Sequence, residues 1–173
     1  MANEIGQGAE SRGSAIPNWT FVSKGGPATM SGQITAIRVY MACTGDDVGI
    51  KVALFTASGD NLTTVVDSIR TLTLDAQVAG VKEWTVAGED FIAIDVNAGE
   101  YLGVWTPDDV GAEQQYAVEG GDGVWYISGD YTDVSGQAFT LGGAWLDSFE
   151  GDITTGGGSS IVPIVLMQRR LRS

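Results

Sequence analysis

The sequence predicts an all-β protein, an antiparallel β-sandwich of about ten short strands with a jelly-roll-like arrangement. Three observations predict this class. Apolar residues alternate with polar ones along short segments, which is the period of a half-buried strand. Turn-forming residues separate these segments at roughly 8–12-residue intervals. The chain has 25 glycines, which suits many tight turns, and no amphipathic helix of ordinary length is visible.

The predicted strands fill a central sandwich domain, residues 19–153. They are expected at residues 19–22, 32–43, 50–54, 63–74, 81–86, 92–96, 102–106, 116–118, 124–127, 138–141 and 145–149. Residues 63–74 are rich in β-branched side chains and favour a strand. Val65, Val66 and Ile69 would also suit a short helix there, and both alternatives stay open.

Residues 32–43 show the longest apolar alternation in the chain. One face of this predicted strand carries Ile37, Val39 and Met41. Ile34 has the opposite parity, so the sequence predicts a β-bulge near Ala36.

Residues 91–106 predict a half-buried antiparallel hairpin. Two segments in which every second residue is expected to face the core flank a glycine-bearing turn at residues 97–99. The core-facing residues are Ile92, Ile94 and Val96 before the turn, and Leu102, Val104 and Thr106 after it.

The two ends of the chain depart from this alternation. Residues 1–18 are polar and are expected to form an N-terminal arm with little structure of its own. Residues 154–173 read as a Gly-rich linker followed by a C-terminal strand or arm. That last segment is either the final strand of its own sandwich or an assembly arm that pairs with a neighbouring subunit. Its apolar residues are Ile161, Val162, Ile164, Val165, Leu166, Met167 and Leu171.

Charge limits the partners that the protein is expected to bind. The formal net charge is −13, from 22 acidic and 9 basic residues. Such a chain repels phosphate backbones and anionic membranes, so we expect neither nucleic acid nor membrane as partner. No apolar run approaches the ~20 residues of a membrane span. The first residues lack a basic region followed by an apolar stretch, so no secretory signal is predicted.

The chemistry available to the chain is narrow. It contains no histidine, which removes Ser-His-Asp and Cys-His catalysis and most zinc sites. Cys43 is the only cysteine, so no internal disulfide exists, and we expect it to be a buried thiol. Three loop pairs offer oxygen ligands for calcium, but turn formation is the preferred interpretation of all three: Asp46 with Asp47, Asp60 with Asn61, and Asp130 with Asp133. We predict no metal, no cofactor and no catalysis.

Aromatic residues concentrate in the second half of the chain, interleaved with acidic ones: Trp105, Tyr116, Trp125, Tyr126, Tyr131 and Trp145. Aromatic rings can stack on sugars while carboxylates accept hydrogen bonds from hydroxyl groups. The candidate glycan-binding residues are Trp105, Trp125, Tyr126 and Tyr131. The same rings also suit the core of a sandwich or a subunit interface, and alternation alone does not decide which face is inside.

Several segments together resemble a known kind of module. They are GQITAIRVY (32–40), KVALFT (51–56), GDN (59–61), FIAIDVNAGEYLG (91–103), GVWY (123–126), GD (129–130) and FT (139–140). This set resembles a β-sandwich (jelly-roll) module of bacteriophage tail-fibre and other virion structural proteins, similar to accessory domains beside SGNH-type esterases. The resemblance implies an oligomeric, surface-exposed and often glycan-facing module. The esterase nucleophile block is absent, because Asn61 stands where a serine is required.

The leading functional hypothesis is a non-enzymatic phage or virion structural protein: a capsid decoration, head-fibre or tail-fibre subunit. We expect it to be made in the host cytoplasm and to reside in the virion. Its partners would be other copies of itself, expected as a trimer, and other virion proteins. The alternative is a carbohydrate-binding module that uses the exposed aromatics on a surface glycan. A remote third possibility is a hydrolase with a pair of acidic residues.

Overall fold

The computed structural model describes residues 3–42, 48–74, 79–108 and 113–155, and these ranges form two antiparallel β-sheets. The described ranges contain no helix, and hence none that is long and apolar enough to cross a membrane. The prediction of an all-β antiparallel sandwich is confirmed. The strands are β1 (Glu4–Gly6), β2 (Ser14–Ile16), β3 (Trp19–Ser23), β4 (Gly32–Met41), β5 (Val48–Ser58), β6 (Asn61–Thr64), β7 (Arg70–Leu74), β8 (Gly80–Thr85), β9 (Ile94–Val96), β10 (Tyr101–Trp105), β11 (Gln114–Ala117), β12 (Val124–Ser128), β13 (Gln137–Ala138), β14 (Thr140–Gly142), β15 (Leu146–Asp147) and β16 (Phe149–Thr154).

The two sheets have eight strands each. Sheet 1 has the order β1-β16-β4-β11-β15, with β8 and β9 also paired to β4, and β2 paired to β11. Sheet 2 has the order β13-β6-β5-β10-β3-β12-β14, with β7 also paired to β5. Among the described strands the chain changes sheet eight times: from β2 to β3, β3 to β4, β4 to β5, β7 to β8, β9 to β10, β10 to β11, β11 to β12 and β14 to β15. Such crossings distinguish a jelly-roll-like sandwich from a simple meander.

The main core lies between the sheets. Sheet 1 contributes Ile37 and Val39, and sheet 2 contributes Leu54, Leu102 and Val104, all fully buried. These residues alternate along their strands with residues that face outward, as period-two patterning requires. A second apolar cluster covers the other face of sheet 2, where the loop residue Phe139 packs with strand residues including Phe55 and Trp125. Sheet 2 is therefore apolar on both faces.

The predicted bulge in β4 is confirmed. In the pairing with β16, Asp152 faces Ala36 and Ile153 faces Ile34, so Thr35 has no partner across the ladder. The extra residue lets Ile34 point into the core although its parity is opposite to that of Ile37. The carbonyl of Thr35 instead accepts a hydrogen bond from the Val86 N–H at 2.9 Å.

The predicted hairpin over residues 91–106 is wrong. β9 pairs with β4 in sheet 1, whereas β10 pairs with β3 and β5 in sheet 2. The turn at Gly99, with φ 88°, therefore carries the chain from one sheet to the other. Alternation identified both half-buried strands, but it carries no information about which strand lies beside them. Ile92, expected in the first strand, precedes it and is 78% exposed.

The N-terminal residues are more ordered than expected. β1 pairs with β16 and β2 pairs with β11, and Ile5 is fully buried in the main core. The isolated residues Ile5 and Ile16 in an otherwise polar segment gave no alternation from which to predict this. The described part of the expected arm is thus part of sheet 1. Cys43 and the apolar residues of 154–173 lie outside the described residues.

Candidate functional site

The four candidate glycan-binding residues do not share one surface. Trp125 and Tyr126 are consecutive in β12, so their side chains point to opposite faces of sheet 2. Trp125 and Tyr131 belong to the cluster on the outer face, whereas Tyr126 packs against the core between the sheets. A common stacking platform of all four rings is therefore excluded by their placement.

Trp125 is a core residue. Its side chain is 2% exposed, and its indole N–H donates to Asp60 Oδ1 at 2.8 Å. Tyr101 packs edge-on against the ring, with 5.0 Å between the centroids. This placement corrects the hypothesis that the Trp125 face is open to a sugar, because its faces are already covered by protein.

Trp105 lies in a small polar site on the outer side of sheet 2. Lys51 places its Nζ 5.3 Å from the centroid of the Trp105 ring, and the same ammonium forms a short ion pair with Asp130. Burial opposes ionisation of Asp130, but hydrogen bonds from Lys51 and Thr132 outweigh it and hold the pKa of this carboxyl below its ordinary value. Tyr131 follows directly in the chain and is half-buried.

A stack of four half-buried rings lies at the edge of the main core. Tyr126 and Trp145 are parallel within 6° at a centroid distance of 4.5 Å, and Tyr116 stacks on Trp145 at 5.1 Å. Trp19 lies 5.2 Å from Tyr126 on the stack's far side. Each ring packs against a neighbouring ring, and these contacts stabilise the sandwich. The sequence indicated three of these rings but gave no sign that Trp19 would join them.

Two of the candidate calcium ligands within the described ranges, Asp60 and Asp130, are engaged by protein groups. Asp60 accepts from Trp125, and Asp130 accepts from Lys51 and Thr132. Among the residues that the structure describes, no three acidic or cysteine side chains come together as a metal site. Asp46 and Asp47 lie outside those residues.

Two other charged side chains in the described ranges have a strongly raised pKa, and both make structural contacts. On the outer face of sheet 1, Arg38 binds Asp152 with both terminal nitrogens and also contacts Glu150 and Glu83. The hydrogen bonds to Asp152 are the main reason that the pKa of Arg38 is raised. Asp147 is fully buried in β15, and this burial raises the pKa of its carboxyl to about 6.

The most exposed large apolar side chains of the described chain lie together on one side of the sandwich. Val66 is 84% exposed and Ile92 is 78% exposed. Both line a cleft of about 610 Å³, together with the half-buried Val65 and Ile69. We call these four residues the apolar patch. It is formed by the turn between β6 and β7 and by the segment that precedes β9.

Arg70 joins the two backbone segments that form the patch. Its Nε donates to the Ile92 carbonyl at 2.8 Å and its Nη2 donates to the Ala93 carbonyl at 3.1 Å. Its Nη1 donates to the carbonyls of Asp67 and Ile69, at 2.7 and 2.8 Å. A planar guanidinium with several fixed donors is suited to this role, and a lysine would not reproduce it.

Hydrogen bonds of a buried serine hydroxyl hold the turn that carries Val66. The hydroxyl of Ser68, which is buried, donates to the Val65 carbonyl at 2.7 Å and accepts from the Leu54 N–H at 3.0 Å. Asp67 has a φ of 62°, a conformation that non-glycine residues adopt uncommonly. These bonds hold Val66 outward instead of letting it fold onto the core.

The surroundings of the patch are polar and acidic. Asp67 and Asp133 both line the cleft around the apolar residues. Arg70 also lines the cleft, with its guanidinium bonded to backbone carbonyls. The patch therefore combines exposed aliphatic side chains with two carboxylates and one engaged guanidinium.

No protein-family model matches this chain, and no curated protein does. The apolar patch and the Trp105 site are therefore interpreted from their own geometry and charge. Sequence reasoning had placed residues 65–69 inside one continuous strand or short helix and so missed the patch. The signal that could have indicated it is the dipeptide at Asp67 and Ser68, two residue types that favour turns.

Proposed function

We propose that this protein is a non-enzymatic structural subunit of a phage or virion particle, a capsid decoration, head-fibre or tail-fibre protein that displays its sandwich at the particle surface. The observation that carries the proposal is the apolar patch, a rigid aliphatic surface on an otherwise strongly acidic body. A subunit that must associate with copies of itself needs such a surface, whereas an isolated soluble domain gains nothing from holding it open.

The energetic argument starts from Val66 and Ile92. Burying a fully exposed aliphatic side chain of this size contributes about 1.5–3 kcal/mol. The turn and Arg70 already hold the backbone that carries both side chains, so association loses little backbone entropy at this surface. Two such side chains contribute about 3–6 kcal/mol per contact, and a symmetric assembly repeats this contact in every copy.

Charge explains why contact would be confined to a small area. Arg169, Arg170 and Arg172 supply three positive charges, so the net charge of −13 for the whole chain becomes −16 for residues 1–168. Two such bodies repel one another over their general surface. Specific apolar contact at one patch then gives a defined assembly and leaves the remaining surface soluble and outward-facing.

The test is the solution mass of the full-length protein by light scattering on a sizing column. We expect a trimer or a larger closed assembly, and we expect Val66→Asp and Ile92→Asp to lower the mass. Val118→Asp is the matched control, because Val118 is a 50% exposed valine outside the patch. A monomer at all concentrations would count against self-association and against this function. Electron microscopy of the assembled species should show a ring or fibre of uniform copies.

Carbohydrate binding is the second candidate function, and the Trp105 site favours it. That site combines a half-buried indole with Lys51, Asp130 and the following Tyr131. A sugar could stack on the aromatic surface and bond to the charged groups. Titration with polysaccharides should then shift tryptophan fluorescence, and Trp105→Ala should abolish the shift. Trp125→Ala is unsuitable for this test because removing a buried indole would destabilise the domain by about 3–5 kcal/mol.

A further inference from the structure

We infer that the apolar patch receives residues 161–171 of a second copy of this chain. The inference rests on the proposed function, since it names the contact by which the subunits assemble. It goes beyond that function in naming the donor segment, the acceptor cleft and the residues on each side. Charge and composition support it, and the linker length is compatible with it.

Charge selects the donor segment. The acceptor cleft is lined by two carboxylates, Asp67 and Asp133, and by one cation, Arg70, whose guanidinium already donates to backbone carbonyls; the body around it is acidic. Three of the chain's nine basic residues, Arg169, Arg170 and Arg172, lie in its last five positions. This end of the chain is therefore both apolar and cationic, and it complements an apolar cleft with acidic walls. The body of another copy would bring like charge to the same place.

The segment consists largely of apolar residues, as an occupant of an apolar cleft must. The segment begins IVPIVLM, with β-branched residues that favour an extended chain. The cleft volume of about 610 Å³ can accommodate a few aliphatic side chains of the segment, with its remaining residues lying along the surface beside the cleft. The exposed side chains of Val66 and Ile92 offer the apolar surface against which these residues pack.

The linker permits exchange between copies. β16 ends at Thr154, which faces Gln33 at the start of β4. Residues 156–160 are Gly-Gly-Gly-Ser-Ser and span at most about 17 Å when extended. The start of β4 also pairs with β9, which follows Ile92, so the linker begins near the segment that carries Ile92 in its own copy. Transfer to a second copy follows from the self-association in the proposed function, and cross-linking distinguishes it from return to the same chain.

The first experiment locates the acceptor. Light scattering compares the full-length protein with Ile92→Asp, with Val118→Asp and with a chain that ends at Thr155. We expect Ile92→Asp and the truncation each to reduce the assembly to monomer, and Val118→Asp to leave it intact. Circular dichroism of each variant verifies that the β-fold is retained. If the assembly survives Ile92→Asp, the docking site is wrong although self-association stands. If wild type is monomeric, the proposed function itself fails.

The second experiment identifies the donor. In a Cys43→Ser background, chains with Ile92→Cys are mixed with chains with Val165→Cys and treated with a short bismaleimide. We expect a mixed covalent dimer, assigned by mass spectrometry of the joined peptides, at a yield at least tenfold above that of Val118→Cys mixed with Val165→Cys. Equal yields from both mixtures would overturn the inference. A double variant, Ile92→Cys with Val165→Cys, that links only within one chain would overturn exchange between copies.

Discussion

Replacing Asp147 by asparagine should stabilise the protein at pH 8 and lose that advantage as the pH falls to 4. The wild-type carboxyl is fully buried, and its pKa is raised from 3.8 to about 6 by that burial. One pKa unit corresponds to 1.36 kcal/mol, so an ionised Asp147 costs the folded state about 3 kcal/mol. Asparagine does not ionise and so removes this cost.

The sign of the pH dependence follows from the direction of the shift. The folded state binds the proton more tightly than the unfolded chain, so protonation favours folding. The penalty is absent well below pH 3.8, grows as the pH rises from 3.8 to 6, and is complete above 6. Asparagine keeps one oxygen to accept from Gln7 Nε2, which donates to Asp147 Oδ2 at 3.0 Å. The NH₂ group of asparagine would replace Asp147 Oδ1, which accepts from the Phe149 N–H at 3.5 Å. That weaker hydrogen bond would be lost, at a cost of about 1 kcal/mol.

The assay is urea unfolding followed by tryptophan fluorescence, at pH 8 and at pH 4, for wild type and Asp147→Asn. The variant should gain about 1–2 kcal/mol at pH 8 and lose about 1 kcal/mol at pH 4. Asp122→Asn removes an exposed carboxylate and controls for net charge. A change in unfolding free energy that is the same at both pH values would refute the assignment of a shifted, titrating Asp147.

Three further substitutions test other contacts by the same unfolding assay. Arg38→Met should cost about 1–3 kcal/mol, because three carboxylates lose their shared cation, and the loss should shrink in 0.5 M salt as screening weakens their repulsion. Gly103→Ala should cost about 1–3 kcal/mol, because an added Cβ would stand 2.5 Å from Phe55 Cε2; no loss would show that the β5–β10 contact is looser than described. Trp84→Phe should cost about 1–2 kcal/mol, because it removes the 2.7 Å hydrogen bond from the indole N–H to the Thr73 carbonyl. An unchanged unfolding free energy would mean that this hydrogen bond does not stabilise the folded state.

Much of the fold was predictable because alternation reports burial directly. The inward faces of β4, β5 and β10 follow from their apolar positions, and the opposite parity of Ile34 located the bulge. Alternation does not report pairing, so β9 and β10 were expected to lie side by side although they belong to different sheets. Strands of two or three residues, such as β1 and β13, are too short to show any period.

The candidate sites were less predictable, for a physical reason. Sheet 2 is apolar on both faces, so β12 gives no contrast between an inward and an outward side. Whether Trp125 or Tyr126 is exposed then depends on the loop that covers Trp125, and the local sequence does not predict where that loop lies. The apolar patch depends in the same way on Arg70, whose hydrogen bonds join segments more than 20 residues apart.

The position of β16 has a consequence for how the chain acquires its structure during synthesis. β16 lies between β1 and β4, so the first strand of the chain has its partner in the last described strand. While the ribosome is still producing residues 149–154, β1 has nowhere to pair and Ile5 remains in solvent. Sheet 1 therefore closes only after residue 154 has been made. Folding governed by so distant a pairing should be slow, and it should begin in sheet 2, where β3, β5 and β10 are complete by residue 105.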